Sequence, residues 1–144
     1  MAAMSDYLEN KLIDHIFRNT AFTVPTTVYI GLLTAAPADA GGGTEVSGGA
    51  YARVQVGPSL ATWNGTHGNT TGVSSGTGGQ TSNAATITFP TPTANWGVIT
   101  HFGIFDASSA GNLLFHGALT ASKTVNNGDP APVFNAAALT ITLA

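Results

Sequence analysis

The spacing of apolar residues divides the chain into one helical segment and a series of short extended ones. Between Ser5 and Arg18, Leu8, Leu12 and Ile16 recur every fourth position, with Ile13 and Phe17 alongside. That period lines them along one side of a helix. Ser5 can cap the first free amides. Asp6 and Glu9 suit the positive N-terminal end of a helix dipole, and Arg18 suits the other end. The pattern predicts a helix over 5–18. Its apolar stripe, Leu8, Leu12 and Ile16, either packs on the chain's own sheet or docks on a neighbouring molecule.

Beyond the helix the pattern shortens to that of strands. Thr26–Thr34 is rich in β-branched and aromatic residues, as strands are. Tyr51–Val56 alternates, with Tyr51, Arg53 and Gln55 opposite Ala52, Val54 and Val56. Ala84–Phe89 reads as a strand closed by Pro90 and Pro92. Val98–Phe105 and Leu113–Leu119 predict a hairpin joined by residues 106–112. Lys123–Val125 and Val133–Phe134 flank a turn at Asn127-Gly128-Asp129, and Ala138–Leu143 is a last strand. About eight short strands separated by turn signals predict a mainly β fold. The expected architecture is a single β-sandwich or jelly-roll-like domain over 1–144 with one N-terminal α-helix.

Residues 57–83 interrupt this pattern. Gly, Ser, Thr and Asn make up 20 of these 27 residues, and none is charged. A loop longer than ~15 residues is uncommon in a compact domain and is usually functional or mobile. The segment is expected to be either a surface flap or an arm that orders on a neighbouring subunit. Trp63, its one large aromatic residue, is the natural anchor of such an arm.

Charge changes the picture most. Only 8% of residues are Asp, Glu, Lys or Arg, against roughly 25% in ordinary soluble domains. Eight of the eleven lie within the first 53 residues, leaving only Asp106, Lys123 and Asp129 beyond. A surface of Thr, Ser, Asn, Gly and Ala is desolvated at lower cost than one of Lys and Glu. It therefore suits burial against neighbours in an assembly. Four Lys plus Arg with a net charge of −3 argue against direct nucleic-acid binding, which draws on clustered cations. The chain has no cysteine, so thiol and disulfide chemistry are excluded. No apolar run approaches the ~18 residues of a membrane span. The N-terminus has no basic region ahead of an apolar core, so no signal peptide is read there.

The chemistry-bearing residues form no recognisable site. His15, His67, His101 and His116 stand outside any catalytic motif, and no Gly-x-Ser-x-Gly turn occurs. Asp106 and Asp129 are better read as turn residues than as a carboxylate pair. His101 and His116 could meet across the predicted hairpin, but no short-spaced metal-ligand signature accompanies them. Asn64 and Asn69 each begin a glycosylation-type triplet. Trp63, Trp96 and Tyr51 could form a sugar-stacking platform, although so few aromatics more often serve a core. The expectation is a non-enzymatic protein without catalytic residues, metal or cofactor. A carbohydrate-binding module is the alternative from another class.

Two groups of residues resemble a known family. One is Tyr7-Leu8-Glu9-Asn10-Lys11-Leu12-Ile13-Asp14-His15 followed by Val28-Tyr29-Ile30-Gly31-Leu32-Leu33-Thr34. The other is Trp96-Gly97-Val98-Ile99-Thr100-His101-Phe102-Gly103-Ile104-Phe105-Asp106, then residues 111–119 and Lys123-Thr124-Val125. Together they resemble a family of small tailed-phage virion proteins, many labelled tail fibre protein. The likeness spans nearly the whole chain except 57–83, and it transfers no catalytic residue. It implies a virion component. With no heptad or glycine-repeat shaft in the sequence, the expected role is a capsid cement protein that clamps adjacent capsid subunits. Its expected partners are other copies of itself, as a homotrimer, and the major capsid protein. A tail fibre or receptor-binding tail component, with tail proteins as partners, is the alternative.

Overall fold

The helix forms where capping and period place it. In the computed structural model, which describes residues 2–66 and 72–143, α1 spans Asp6–Phe17. The Ser5 hydroxyl accepts the Leu8 amide at 3.3 Å and donates to the Leu113 carbonyl. The helix ends at Asn19, whose positive φ of 53° is the left-handed conformation that stops a helix. Its docking is strongest at the first turn. The Ser5 amide donates to Leu114 and the Asp6 amide to Asp39, and Leu8 is the helix's buried residue.

Eleven strands follow the chain among the described residues: β1 (Ala3–Met4), β2 (Val28–Ala35), β3 (Thr44–Glu45), β4 (Val54–Val56), β5 (Trp63–Asn64), β6 (Gln80–Asn83), β7 (Ile87–Thr88), β8 (Gly97–Phe105), β9 (Leu113–Val125), β10 (Val133–Phe134) and β11 (Thr140–Thr142). Six form an antiparallel sheet in the order β1-β9-β8-β2-β3, with β4 also on β2. The others form two small antiparallel sheets, β10-β7 and β11-β6-β5. The fold is mainly β and sandwich-like, as the strand pattern predicts.

Register explains where the core sits. Ile30 is opposite Ile104 and Leu32 opposite Phe102, while Val54 faces Ile30 from the other side. Because strand side chains alternate, these share one face of the large sheet. Ile87, Phe134, Ile141 and Leu139 from the small sheets and their flanks close over it in one hydrophobic cluster.

Three expectations need correction. The described parts of the 57–83 segment, 57–66 and 72–83, are not a free arm: β5 and β6 pair with each other, β6 pairs with β11, and Trp63 packs against the core. Polar composition hid these strands, because they are held by ladder bonds and by one buried amide. Lys123–Val125 is the end of β9, opposite Gly97–Ile99, rather than a partner of Val133–Phe134. The latter pair with β7, because the turn closed by the Asp129 amide on Asn126 leads the chain across to the other sheet. The helix stripe also divides. Leu8 is buried, Leu12 half-buried and Ile16 exposed.

The buried amide is Asn83, with 0% exposure. Its Nδ2 donates to Ala85 and Asn135 at 2.8 Å each, and its Oδ1 accepts the Leu139 amide at 2.8 Å. It stands in for strand pairing where the chain turns from β10 toward β11. Asn83→Ala leaves these groups buried and unpaired, a loss on the order of 3 kcal/mol. Urea denaturation is expected to show this as a lower midpoint with an unchanged slope.

Candidate functional site

The densest polar constellation lies on one edge of β2. There β4 pairs with residues 28–30 and β3 with Leu33 and Ala35. The chain between them, residues 46–53, leaves the sheet and returns. Leu32 lies at the gap, where its carbonyl accepts the Val46 amide at 3.0 Å and its amide donates to the Tyr51 hydroxyl at 2.8 Å. Tyr51 in turn donates to Glu45 Oε1 at 2.7 Å. The Arg53 fork grips the same carboxylate through Nε at 2.8 Å and Nη2 at 2.7 Å. Its Nη1 donates to the Ala107 and Ala110 carbonyls at 2.7 and 2.9 Å.

This clasp stands on an aromatic floor. The Arg53 guanidinium lies 3.5 Å from the Phe105 ring centroid, a cation–π contact. The Phe105 ring lies against the sheet over Gly31 and Gly103. A Cβ at either glycine would come within 3.0 or 2.7 Å of the ring, so only glycine lets the ring lie there. The Arg53 side chain is 7% exposed and Glu45 27%. Burial pushes the Tyr51 hydroxyl well above its usual 10.0, with the Glu45 carboxylate adding to the rise and the bond to Leu32 opposing it. A cavity of about 420 Å³ opens over the clasp, walled in part by Tyr7, Asp39, Gly42 and Asn112. The charges at its base are already paired with each other, and their chemistry is that of a fastening.

The residues singled out in the sequence are dispersed among structural tasks. His116 Nε2 meets Asp39 Oδ1 at 3.0 Å, while His101 Nδ1 meets Thr100 Oγ1 at 2.8 Å. His101 is opposite Ala118 and His116 opposite Gly103, so the two histidines are diagonal neighbours with separate partners. Asp106 binds the amide and side chain of Asn112, both at 2.7 Å, closing the β8–β9 turn. His15 accepts the Phe22 amide at 3.2 Å. Among the described residues no group of three His, Cys, Asp or Glu could hold a metal, and no helix is long and apolar enough to cross a membrane. His67 and Asn69 lie outside the described residues.

The aromatic trio forms no platform. Trp96 is buried, donates to the Gly49 carbonyl at 2.8 Å and meets Tyr51 edge to face at 5.3 Å. Trp63 is half-buried on the core. Of the proposed interface residues, Leu8 and Trp63 are thus committed to the chain's own packing. Ile16 is free, 64% exposed, with Phe17 at 79%, Ile13 at 50% and Val24 at 71%. Ile13, Ile16 and Phe17, spaced three and four residues apart at the undocked end of α1, therefore present an apolar knob. A second feature without cover is the outer edge of β9. β1 pairs only with Phe115 and His116, so beyond them this edge has no strand partner among the described residues. Arg53 and Asn83 escaped the sequence reading. Arg53 at an alternating strand was a faint signal, and Asn83 in a polar run gave none.

A mainly β body whose ionisable groups fasten its own loops, and whose helix carries uncovered apolar residues, has the features of a structural module. The chain belongs to the family described as Podophage GP4 fiber I protein gp80, whose model matches residues 3–142. It is therefore a phage virion protein of the fibre type. No curated protein matches the chain.

Two measurements probe the clasp. Arg53→Lys keeps the charge but loses the fork, which is expected to cost about 2 kcal/mol in denaturant titration. Folding also favours the protonated Tyr51 phenol. Its contribution is full below the unfolded value near 10 and declines as pH rises past it. Wild type is thus expected to lose more stability than Tyr51→Phe between pH 9 and 11, both being followed by urea midpoints.

Proposed function

We propose that this chain is a non-enzymatic structural component of the phage tail-fibre apparatus, acting through contacts with copies of itself and with adjoining tail proteins. The observation that carries the reading is the apolar knob of Ile13, Ile16 and Phe17, each at least half exposed on one side of α1. A free monomer tolerates scattered surface apolar residues, but a cluster of them on one helix face marks a contact site. The sparse charge of the body supports the same reading, since Thr, Ser and Asn surfaces are covered by neighbours at low desolvation cost. The family description favours the fibre over the capsid cement role expected from the missing shaft. The cement reading keeps one supporting feature, a sequence without shaft repeats.

Immunogold labelling of intact virions separates the two. Label confined to the tail is the expected result, with copy number per particle in the tens or fewer. Label spread over the head, with hundreds of copies, would replace the fibre reading with cement.

A further inference from the structure

The chain carries an apolar groove as well as an apolar knob. Between the second half of β9 and the 129–140 segment lie two adjoining cavities of about 340 and 390 Å³. Both are lined by Leu119, Lys123, Val133 and Phe134, so they form one continuous groove. Phe89 and Ile99 add to its apolar wall. Each cavity falls within the ~300–1,000 Å³ typical of pockets that bury a ligand.

The chain's own helix does not fill this groove. No residue of α1 lines either cavity. The first turn of α1 is pinned to Leu113 and Leu114, at the start of β9, whereas the groove flanks that strand from Ala118 to Lys123.

Charge specifies the occupant. Only three charged residues lie beyond Arg53, and two of them, Lys123 and Asp129, line the groove. The knob is flanked by one charge of each sign, the half-buried Asp14 and the exposed Arg18, paired with each other at 3.3 Å. The groove thus offers the Lys123 cation for Asp14 and, for Arg18, the Asp129 carboxylate, whose Oδ2 also accepts the Asn126 amide, beside an apolar surface for Ile16 and Phe17. We propose that the exposed end of α1 in one copy seats in the β9–β10 groove of a second copy, with Asp14 and Arg18 meeting Lys123 and Asp129.

Knob and groove are different surfaces, so this contact is head-to-tail. Such an interface closes into a ring, of which a homotrimer is one case, or propagates as a filament. The inference deepens the reading of the chain as a self-assembling fibre component. Virion labelling tests that reading separately, because a fibre protein could assemble through other surfaces.

The test uses two variants at exposed positions, Phe17→Asp on the knob and Val133→Asp in the groove, each checked for a wild-type thermal unfolding curve. Sedimentation velocity is expected to show concentration-dependent oligomers for wild type and monomers for each variant alone. Mixing the two variants restores one intact interface, from the knob of Val133→Asp and the groove of Phe17→Asp, and should yield a 1:1 heterodimer and nothing larger. Asp14→Lys and Lys123→Asp should each weaken association about two- to fivefold, the scale of an exposed pair, and the double exchange should recover it. A monomeric wild type at the highest soluble concentration overturns the proposal, as does a mixture that stays monomeric. Val133→Asp assembling like wild type overturns it too and points to helix-on-helix pairing.

Discussion

The large sheet depends on how its interrupted edge at β2 is closed. β3 and β4 share that edge with a seven- to eight-residue excursion between them, which would leave the Leu32 amide without a ladder partner. The Tyr51 hydroxyl fills the gap, the Glu45 carboxylate holds Tyr51, and Arg53 holds Glu45. A buried pair of this kind contributes little net energy over an apolar substitute, yet losing one partner is costly. Its use here is to specify geometry. It sets where the excursion returns and, through the Ala107 and Ala110 carbonyls, where the β8–β9 turn lies.

The clasp is built on space that two glycines provide. Gly31 and Gly103 are opposite one another on β2 and β8, so their missing side chains leave a flat patch across two strands. Phe105 occupies that patch and supplies the face on which Arg53 stacks. The same turn then feeds β9, whose first residues receive the capped end of α1. Edge closure, turn placement and helix docking are thus linked through one cation. Asn83 does comparable work elsewhere in the core, joining β6 to the chain at Asn135 and Leu139.

The four acidic residues beyond α1 each hold a structural contact. Asp106 and Asp129 close turns, Asp39 meets His116, and Glu45 is held by Arg53. What stays uncovered includes apolar surface, at the end of α1 and in the β9–β10 groove, and the backbone edge of β9. For a protein of a phage fibre family, this division is physically sensible. Polar side chains hold the module's internal geometry, and uncovered apolar surface offers the driving force for association.

The sequence by itself determined the helix, its cap, the β8–β9 hairpin, the mainly β class and the family. These are written in local terms: a repeat every fourth residue, a serine at the right offset, alternation bounded by turn residues. It also showed that Ile16 and Phe17 lie on an apolar stripe, but not that Leu8 on the same stripe would be buried. Only the tertiary structure decided that, because docking is strongest at the first helical turn and fades from Leu8 through Leu12 to Ile16. It likewise decided that Trp63 belongs to the core, that β10 pairs with β7, and that the 57–83 segment contributes two strands. Those outcomes rest on contacts between residues far apart in the chain, such as Asn83 with Asn135 or Arg53 with Ala107. A polar run carries no periodicity to announce such contacts, and a single arginine in a strand does not reveal which carbonyls it will meet.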